Sequence, residues 1–218
     1  MTYKIDLHTH SIISQDGAVT EEQYTRLLDN ATIDYIAITD HNETKFAKQL
    51  AKKLGEKIII GEEISTKDGE IIGLFLQETI SRGLTAKQTV QQIHQQGGLV
   101  YIPHPFEIFR HGLKIDTLEQ IQNEIDIIEV FNARSKWRGK SSLALDFAQK
   151  YKIATAASSD AHGQKGIGTS FSIINEAPSP KTLPNLLKKG TLQEQFAPII
   201  TYLYPSINKI KHKLHLLP

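Results

Sequence analysis

Histidines and carboxylates recur in short motifs along this chain, each directly after an apolar, β-branched run. They are His8 and His10 in DLHTHS, Asp40 and His41 in ITDHN, Glu63 in GEEIS, His104 in IPHP, and Asp160 and His162 in SSDAH. Imidazole nitrogen and carboxylate oxygen are the donors that divalent transition-metal cations accept. Strand after strand would bring such donors to one end of a sheet, which makes a metal cluster. His8 and His10 stand two apart, so extended backbone sends both imidazoles to one face. Asp16 follows in SQDG, where Gly17 permits a tight turn that folds the carboxylate back toward the strand ends. Alone, HxH is more often two surface histidines and Asp-Gly more often a plain turn. Solvated charge does not explain repeated coincidences at carboxyl strand ends, the rim where α/β barrels build active sites.

The elements that must position these groups alternate between short strands and longer helices, the pattern of βα units around a mostly parallel sheet. Strands are expected at Tyr3 to Leu7, Tyr35 to Thr39, Ile58 to Gly61, Leu99 to Ile102, Ile127 to Phe131, Ala154 to Ala157 and Phe171 to Ile174. Amphipathic helices are expected at Thr20 to Asn30, Lys45 to Leu54, Thr85 to Gln96, Leu118 to Glu124, Lys140 to Lys150 and Lys181 to Lys189. Thr20 with Gln23 three residues on is a capped start, and Thr85 opens a helical pattern that ends at Gly97 and Gly98. Asp68-Gly69 marks a hairpin turn into an extra antiparallel strand, which would carry Glu70 toward the metal-bearing end. Ile199 to Pro218 is mixed apolar and basic, a helix or tail expected to pack on the barrel's outside.

The chain has 218 residues, with 25 Lys and Arg against 24 Asp and Glu, and no cysteine. That length buries a core in one domain, expected at 1–218 with a barrel core at 1–195 and the tail at 196–218. Balanced charge offers no general attraction to nucleic acid or membrane. Without thiols, any metal must be held by nitrogen and oxygen. The N-terminal run lacks an apolar signal core and no stretch is long enough to span a bilayer, so a cytoplasmic protein with no membrane partner is expected.

The succession DLHTHS…DG, TDHN, GEEIS, HPF and SDAH, in that order over most of the chain, resembles the PHP family (polymerase and histidinol phosphatase domain). The resemblance implies a distorted (β/α)7 barrel, two or three divalent ions (Mn, Zn or Fe) and phosphoester hydrolysis. It further implies that His8, His10, Glu63 and Asp160 hold a first metal, with Glu63 bridging to a second that also takes His104. Asp16, His41 and His162 would hold a third. Asp6 and Asp40 match positions more often outer-shell, where an aspartate orients a ligating imidazole. One departure stands out: where the family often has a histidine after the Glu63 strand, this chain has Glu70 in EIIGLF. Glu70 either ligates through oxygen, favouring Mn or Fe, or leaves that position weak.

Three divalent ions would outweigh the carboxylates around them and leave a positive pocket in a neutral protein, which suits a phosphomonoester dianion. Arg110 and Arg134 are candidate phosphate clamps, because guanidinium recognises phosphate in bidentate fashion; either could equally be a solvated surface arginine. Asn132 is a further candidate for substrate binding, with Glu129 on the same strand end. The expected function is hydrolysis of a small phosphorylated metabolite or nucleotide by metal-activated water. Alternatives are a nuclease or phosphodiesterase on nucleic-acid ends, and a non-catalytic metal-binding module. His94, His212 and His215 read as structural, and His111 as a polar loop residue.

Overall fold

The computed structural model describes residues 1–137 and 139–216, so Leu217 and Pro218 of the expected tail lie outside the described residues. Among these, nine strands join in one sheet: β1 (Tyr3–Asp6), β2 (Tyr35–Ile38), β3 (Ile58–Ser65), β4 (Glu70–Leu74), β5 (Leu99–Ile102), β6 (Ile127–Asn132), β7 (Ala154–Ser158), β8 (Phe171–Ile174) and β9 (Thr191–Gln193). Seven α-helices accompany them: α1 (Glu21–Asp29), α2 (Lys45–Leu54), α3 (Ala86–Gln95), α4 (Ile115–Ile121), α5 (Ser141–Tyr151), α6 (Leu183–Lys189) and α7 (Tyr204–Lys213). The spatial strand order is β7-β6-β5-β4-β3-β2-β1-β8-β9.

Pairing is parallel from β1 through β3 and from β5 through β7. The Asp68-Gly69 turn does lead into an antiparallel strand, β4, which pairs antiparallel with both β3 and β5 and so sits inside the ring. At the carboxyl end, backbone beyond β1 and β7 meets directly: Asp160 N donates to His8 O and His10 N to Ala161 O, both at 2.9 Å. At the other end β8 runs antiparallel along β1, and β9, which no sequence signal marked, extends it. The sheet is therefore a nearly closed barrel whose seam is tightest where the histidine motifs lie.

Ile5, Ala37, Ile59, Ile72, Tyr101, Ile127 and Ala156, one from each of β1 to β7, form the barrel interior together with Leu183, Leu186 and Leu187 of α6. Their outward neighbours pack under the helices. Ile102, Ile128 and Val130 meet α3, α4 and α5, while Ile36 and Ile38 meet α1 and α2. Strands buried on both faces need apolar residues at nearly every position, which is why β5 and β6 read as continuous runs rather than alternating ones.

Helix ends follow local chemistry. Thr20 and Thr85 each accept from the backbone three residues on, and Gln23 and Gln88 return the bond, so both starts are full capping boxes. α4 begins three residues before the expected Leu118, with Asp116 in its first turn, and the stretch Gln122–Glu124 tightens into a 3-10 turn. The C-terminal segment forms a 3-10 turn, Ile199–Leu203, followed by α7 with proline in its first turn. Asn208 on α7 bonds the backbone of Asp16 and His162, which sets this segment at the barrel's carboxyl rim.

Thr85→Ala removes the side-chain cap of α3. It is expected to lower stability by about 1 kcal/mol, read as a shifted urea midpoint with an unchanged slope.

Candidate metal centre

Of the donors singled out at the strand ends, all but Asp40 reach one cluster. His8, His10, Glu63 and Asp160 are almost fully withdrawn from water, and His104 and His162 keep only 4% exposure each. The Nε2 atoms of His8 and His10 face each other at 3.1 Å. Glu63 lies between the imidazoles, 3.1 Å from His104 Nε2, 3.2 Å from His41 Nδ1, 3.3 Å from His10 Nε2 and 3.5 Å from His8 Nε2. Asp160 Oδ1 is 3.5 Å from both His8 and His10. Asp16 completes the far side, 3.4 Å from His41 Nε2 and 3.6 Å from His162 Nε2.

The local backbone explains how the motifs aim. Past β2, His41 bridges in parallel to Glu63, so the third strand's carboxylate is presented beside the second strand's imidazole. His104 and Asp160 hold positive φ, 29° and 49°, a left-handed backbone that ordinary residues rarely adopt and that the surrounding bonds must hold in place. Gly17 is required for space rather than for φ: a Cβ there would stand 2.1 Å from Ser11 O. The DG turn thus folds Asp16 back by pressing against the HTHS backbone.

The donors fall into overlapping sets whose ligand atoms lie within 4.8 Å of one another: His10, Asp16, His41 and His162; His8, His10 and Glu63; His8, His104 and Asp160; His41, Glu63 and Glu70. All are nitrogen and oxygen, as a chain without cysteine requires. Buried Asp16 Oδ1 and His104 Nδ1 have no hydrogen-bond partner among the described residues, although groups buried this deeply are normally satisfied. The donor set and these orphaned atoms fit divalent cations.

Charge states follow from these contacts. Burial opposes ionisation of Glu63 and Asp160, yet both carboxyls are held well below the usual range. His8 and His41 act on Glu63, and Arg110 and Arg134 on Asp160. Burial also opposes charging His10, but hydrogen bonds to Asp160 and Glu63 outweigh it and raise its pKa to about 9. His162 goes the other way, down to about 3, through burial and the neighbouring Arg134 and His10. It is a neutral imidazole, the form that binds metal. Glu70 sits 3.9 Å from both His41 and His104, and burial beside Glu63 raises its pKa to about 8. A carboxylate at that position calls for positive charge close by.

Asp6 and Asp40 differ from expectation: neither hydrogen-bonds an imidazole. Asp6 accepts from the backbone of His8 and Ser159, joining the β1 and β7 motifs, and burial raises its pKa to about 7. Asp40 accepts from Ser11 N and Ser11 Oγ and holds the HTHS turn. The carboxylate that does orient an imidazole is Glu129, whose Oε1 lies 3.2 Å from His8 Nδ1 and accepts from Tyr101 OH. Its Oε2 accepts from His104 N and Asn132 Nδ2. One sequence signal pointed to it: a single acid in the fully buried strand IIEVFN.

The cluster opens into a cavity of about 400 Å³, lined in part by Arg110, Arg134, His111, Phe109 and Lys209. Both arginines bond Asp160, and Arg134 also contacts His162 Nδ1 at 2.9 Å. Asn132, expected to face substrate, is buried and is not among the lining residues. Its side-chain oxygen accepts from Arg110 and from Arg134 N while its amide donates to Glu129 and Asp160, so it holds the arginines in place.

The sequence pattern of the PHP domain matches residues 6–176. The chain belongs to the PHP domain family. An uncharacterized protein of Methanocaldococcus jannaschii is 37% identical over 200 residues, covering 86% of this chain and 80% of that one. Among solved structures, a two-domain protein of Bacteroides vulgatus containing a predicted PHP-like metal-dependent phosphoesterase superposes with a TM-score of 0.70. Its identity is 19%, over 96% of this chain and 70% of that chain. A lesion-specific endonuclease of Pyrococcus furiosus superposes with a TM-score of 0.63 at 16% identity, over 88% of this chain and 58% of that chain. These two likenesses establish the barrel fold. Among the described residues no helix of this PHP protein is long and apolar enough to cross a membrane.

Glu129→Ala strips partners from His8, Tyr101, His104 and Asn132 at once. Unfolding free energy is expected to fall by about 3 kcal/mol. Glu129→Gln, which keeps an acceptor oxygen and adds two donors, should cost less, both read by thermal denaturation.

Proposed function

We propose that this protein hydrolyses a small phosphorylated metabolite or nucleotide with two or three divalent ions of the Mn, Zn or Fe class. The observation that carries this reading is the convergence of five imidazoles and of Asp16, Glu63 and Asp160 on one buried centre that opens into a cavity lined by two arginines. In this reading His8, His10, Glu63 and Asp160 hold one ion, and Asp16, His41 and His162 another. Glu63 is shared with a position completed by His104 and Glu70. The chain works as one barrel domain with its C-terminal helix docked on the rim.

Bound ions of this kind lower the pKa of water to supply the nucleophile and neutralise charge on phosphoryl oxygens. The chain's own residues do the rest. Glu129 fixes the ring of His8 and the backbone of His104. Arg110 and Arg134 line the cavity beside Asp160 and can present N–H groups to phosphate oxygens, with Asn132 holding both in position. No serine or cysteine nucleophile is required.

A site of about 400 Å³ matches a metabolite or a mononucleotide rather than a bare phosphate. A near-neutral chain also lacks the general cationic surface that tracking a nucleic-acid backbone calls for.

Purified protein loaded in turn with Mn, Zn and Fe should turn over members of a phosphomonoester panel faster than matched diesters or oligonucleotides. Faster cleavage of the diesters would move the assignment to a nuclease. No turnover by fully loaded protein on any panel would leave a metal-binding module. His10→Ala and Asp160→Ala should lose bound metal and at least 100-fold in rate (on the order of the loss when a catalytic ion's environment is disrupted), with circular dichroism unchanged. His94→Ala, whose imidazole bonds Asp126 on the far side of the barrel, should keep the wild-type rate.

A further inference from the structure

The PHP match ends at residue 176, yet α7, some thirty residues later, reaches the centre. Asn208 is 3% exposed and donates from one amide nitrogen to Asp16 O and His162 O, both at 2.8 Å. His212, one turn further along the helix, lies 3.2 Å from Gly17 O. Upstream, Ala197 N donates to Ala133 O at 2.9 Å, and Tyr202 OH lies 3.3 Å from Lys136 N. The segment therefore ties three rim loops together: those of Asp16, Ala133 and His162. The next residue on the helix, Lys209, lines the cavity with its ammonium 3.7 Å from Asp16 Oδ2 and a side chain 53% exposed.

The three cations at this cavity are not equivalent. Arg110 and Arg134 have side chains only 19% and 13% exposed, and both are engaged with Asp160. Lys209 is farther from its one carboxylate and faces water on a flexible four-carbon stem, so its ammonium can turn from Asp16 to an entering anion. No acidic residue follows Glu194 in the sequence, and Lys209, Lys211 and Lys213 all fall on α7. No carboxylate on this helix repels an anion.

We propose that α7 is a substrate-recognition element of the active site, with Lys209 contacting the anionic group of the substrate from the cavity's rim and Asn208 acting as the positioning residue that holds the helix there. The assignment rests on the hydrolase reading for the nature of the ligand, but phosphate binding tests it without turnover. Inorganic phosphate is titrated calorimetrically into metal-loaded wild type, Lys209→Ala and Lys209→Arg, with metal content measured in each. Lys209→Ala should bind phosphate about tenfold more weakly at unchanged metal content, and Lys209→Arg should recover most of the affinity. On whichever phosphomonoester wild type turns over, KM of Lys209→Ala should rise about as much, with a smaller change in kcat. Asn208→Ala should weaken phosphate binding in the same direction, because the helix loses its anchor. Equal phosphate affinity in wild type and Lys209→Ala, or none in either, overturns the assignment. Lys209-dependent phosphate binding without turnover of any phosphoester supports it and removes the hydrolase reading instead.

Discussion

Glu63, Asp160 and Glu129 are carboxylates almost out of contact with water, and an ion taken from water costs several kcal/mol unless its surroundings restore what hydration supplied. The whole carboxyl end of the barrel is arranged around meeting that cost. Glu63 is surrounded by imidazoles, Asp160 by two guanidiniums, and Glu129 by an imidazole, a phenol, an amide and a backbone N–H. Charge at that depth is tolerable only because neighbouring strand ends present opposite charge or donors within hydrogen-bonding reach.

This constraint reaches into the fold. The barrel must close where the donors are, and it does so through the backbone bonds between His8 and Asp160 and between His10 and Ala161. Asp6, buried under that seam, accepts from both sides of it. The left-handed backbone at His104 and Asp160 is held by the same bonds, since Glu129 accepts from His104 N and His8 O accepts from Asp160 N. Local strain at the site is offset by the completeness of the network around it. A rigid shell of this kind is what keeps groups with opposed charge preferences, such as His10 and His162, side by side.

Much of the fold could be read from the chain because each element carries its own signal. Thr20 and Thr85 start helices by chemistry confined to four residues, and Asp68-Gly69 announces the turn into β4. β9 could not be read: three mostly exposed residues carry no apolar pattern, and they pair only because β8 offers a free edge. The extension of β3 through Ser65 is likewise decided by a neighbour. Glu62 and Glu63 stay in an extended strand because β4 pairs with that whole stretch.

In the site, the identities of the donors were legible because metal-binding side chains stand out at the ends of apolar strands, and their order along the chain matches that of a known family. Which of them support and which face the cavity was not legible, since this depends on directions set across the barrel. Asn132 turned inward to hold arginines, Asp6 took backbone and Asp40 took Ser11 rather than imidazole, and Glu129 took the imidazole. The amphipathic, basic character of the C-terminal segment was equally plain, but not its place at the rim. The sequence alone determined which chemical groups are available and which stretches carry them, because side-chain type and short-range periodicity are local properties. Tertiary structure decided which groups meet, since a contact such as that of Asn208 with Asp16 spans most of the chain and exists only once the barrel has closed.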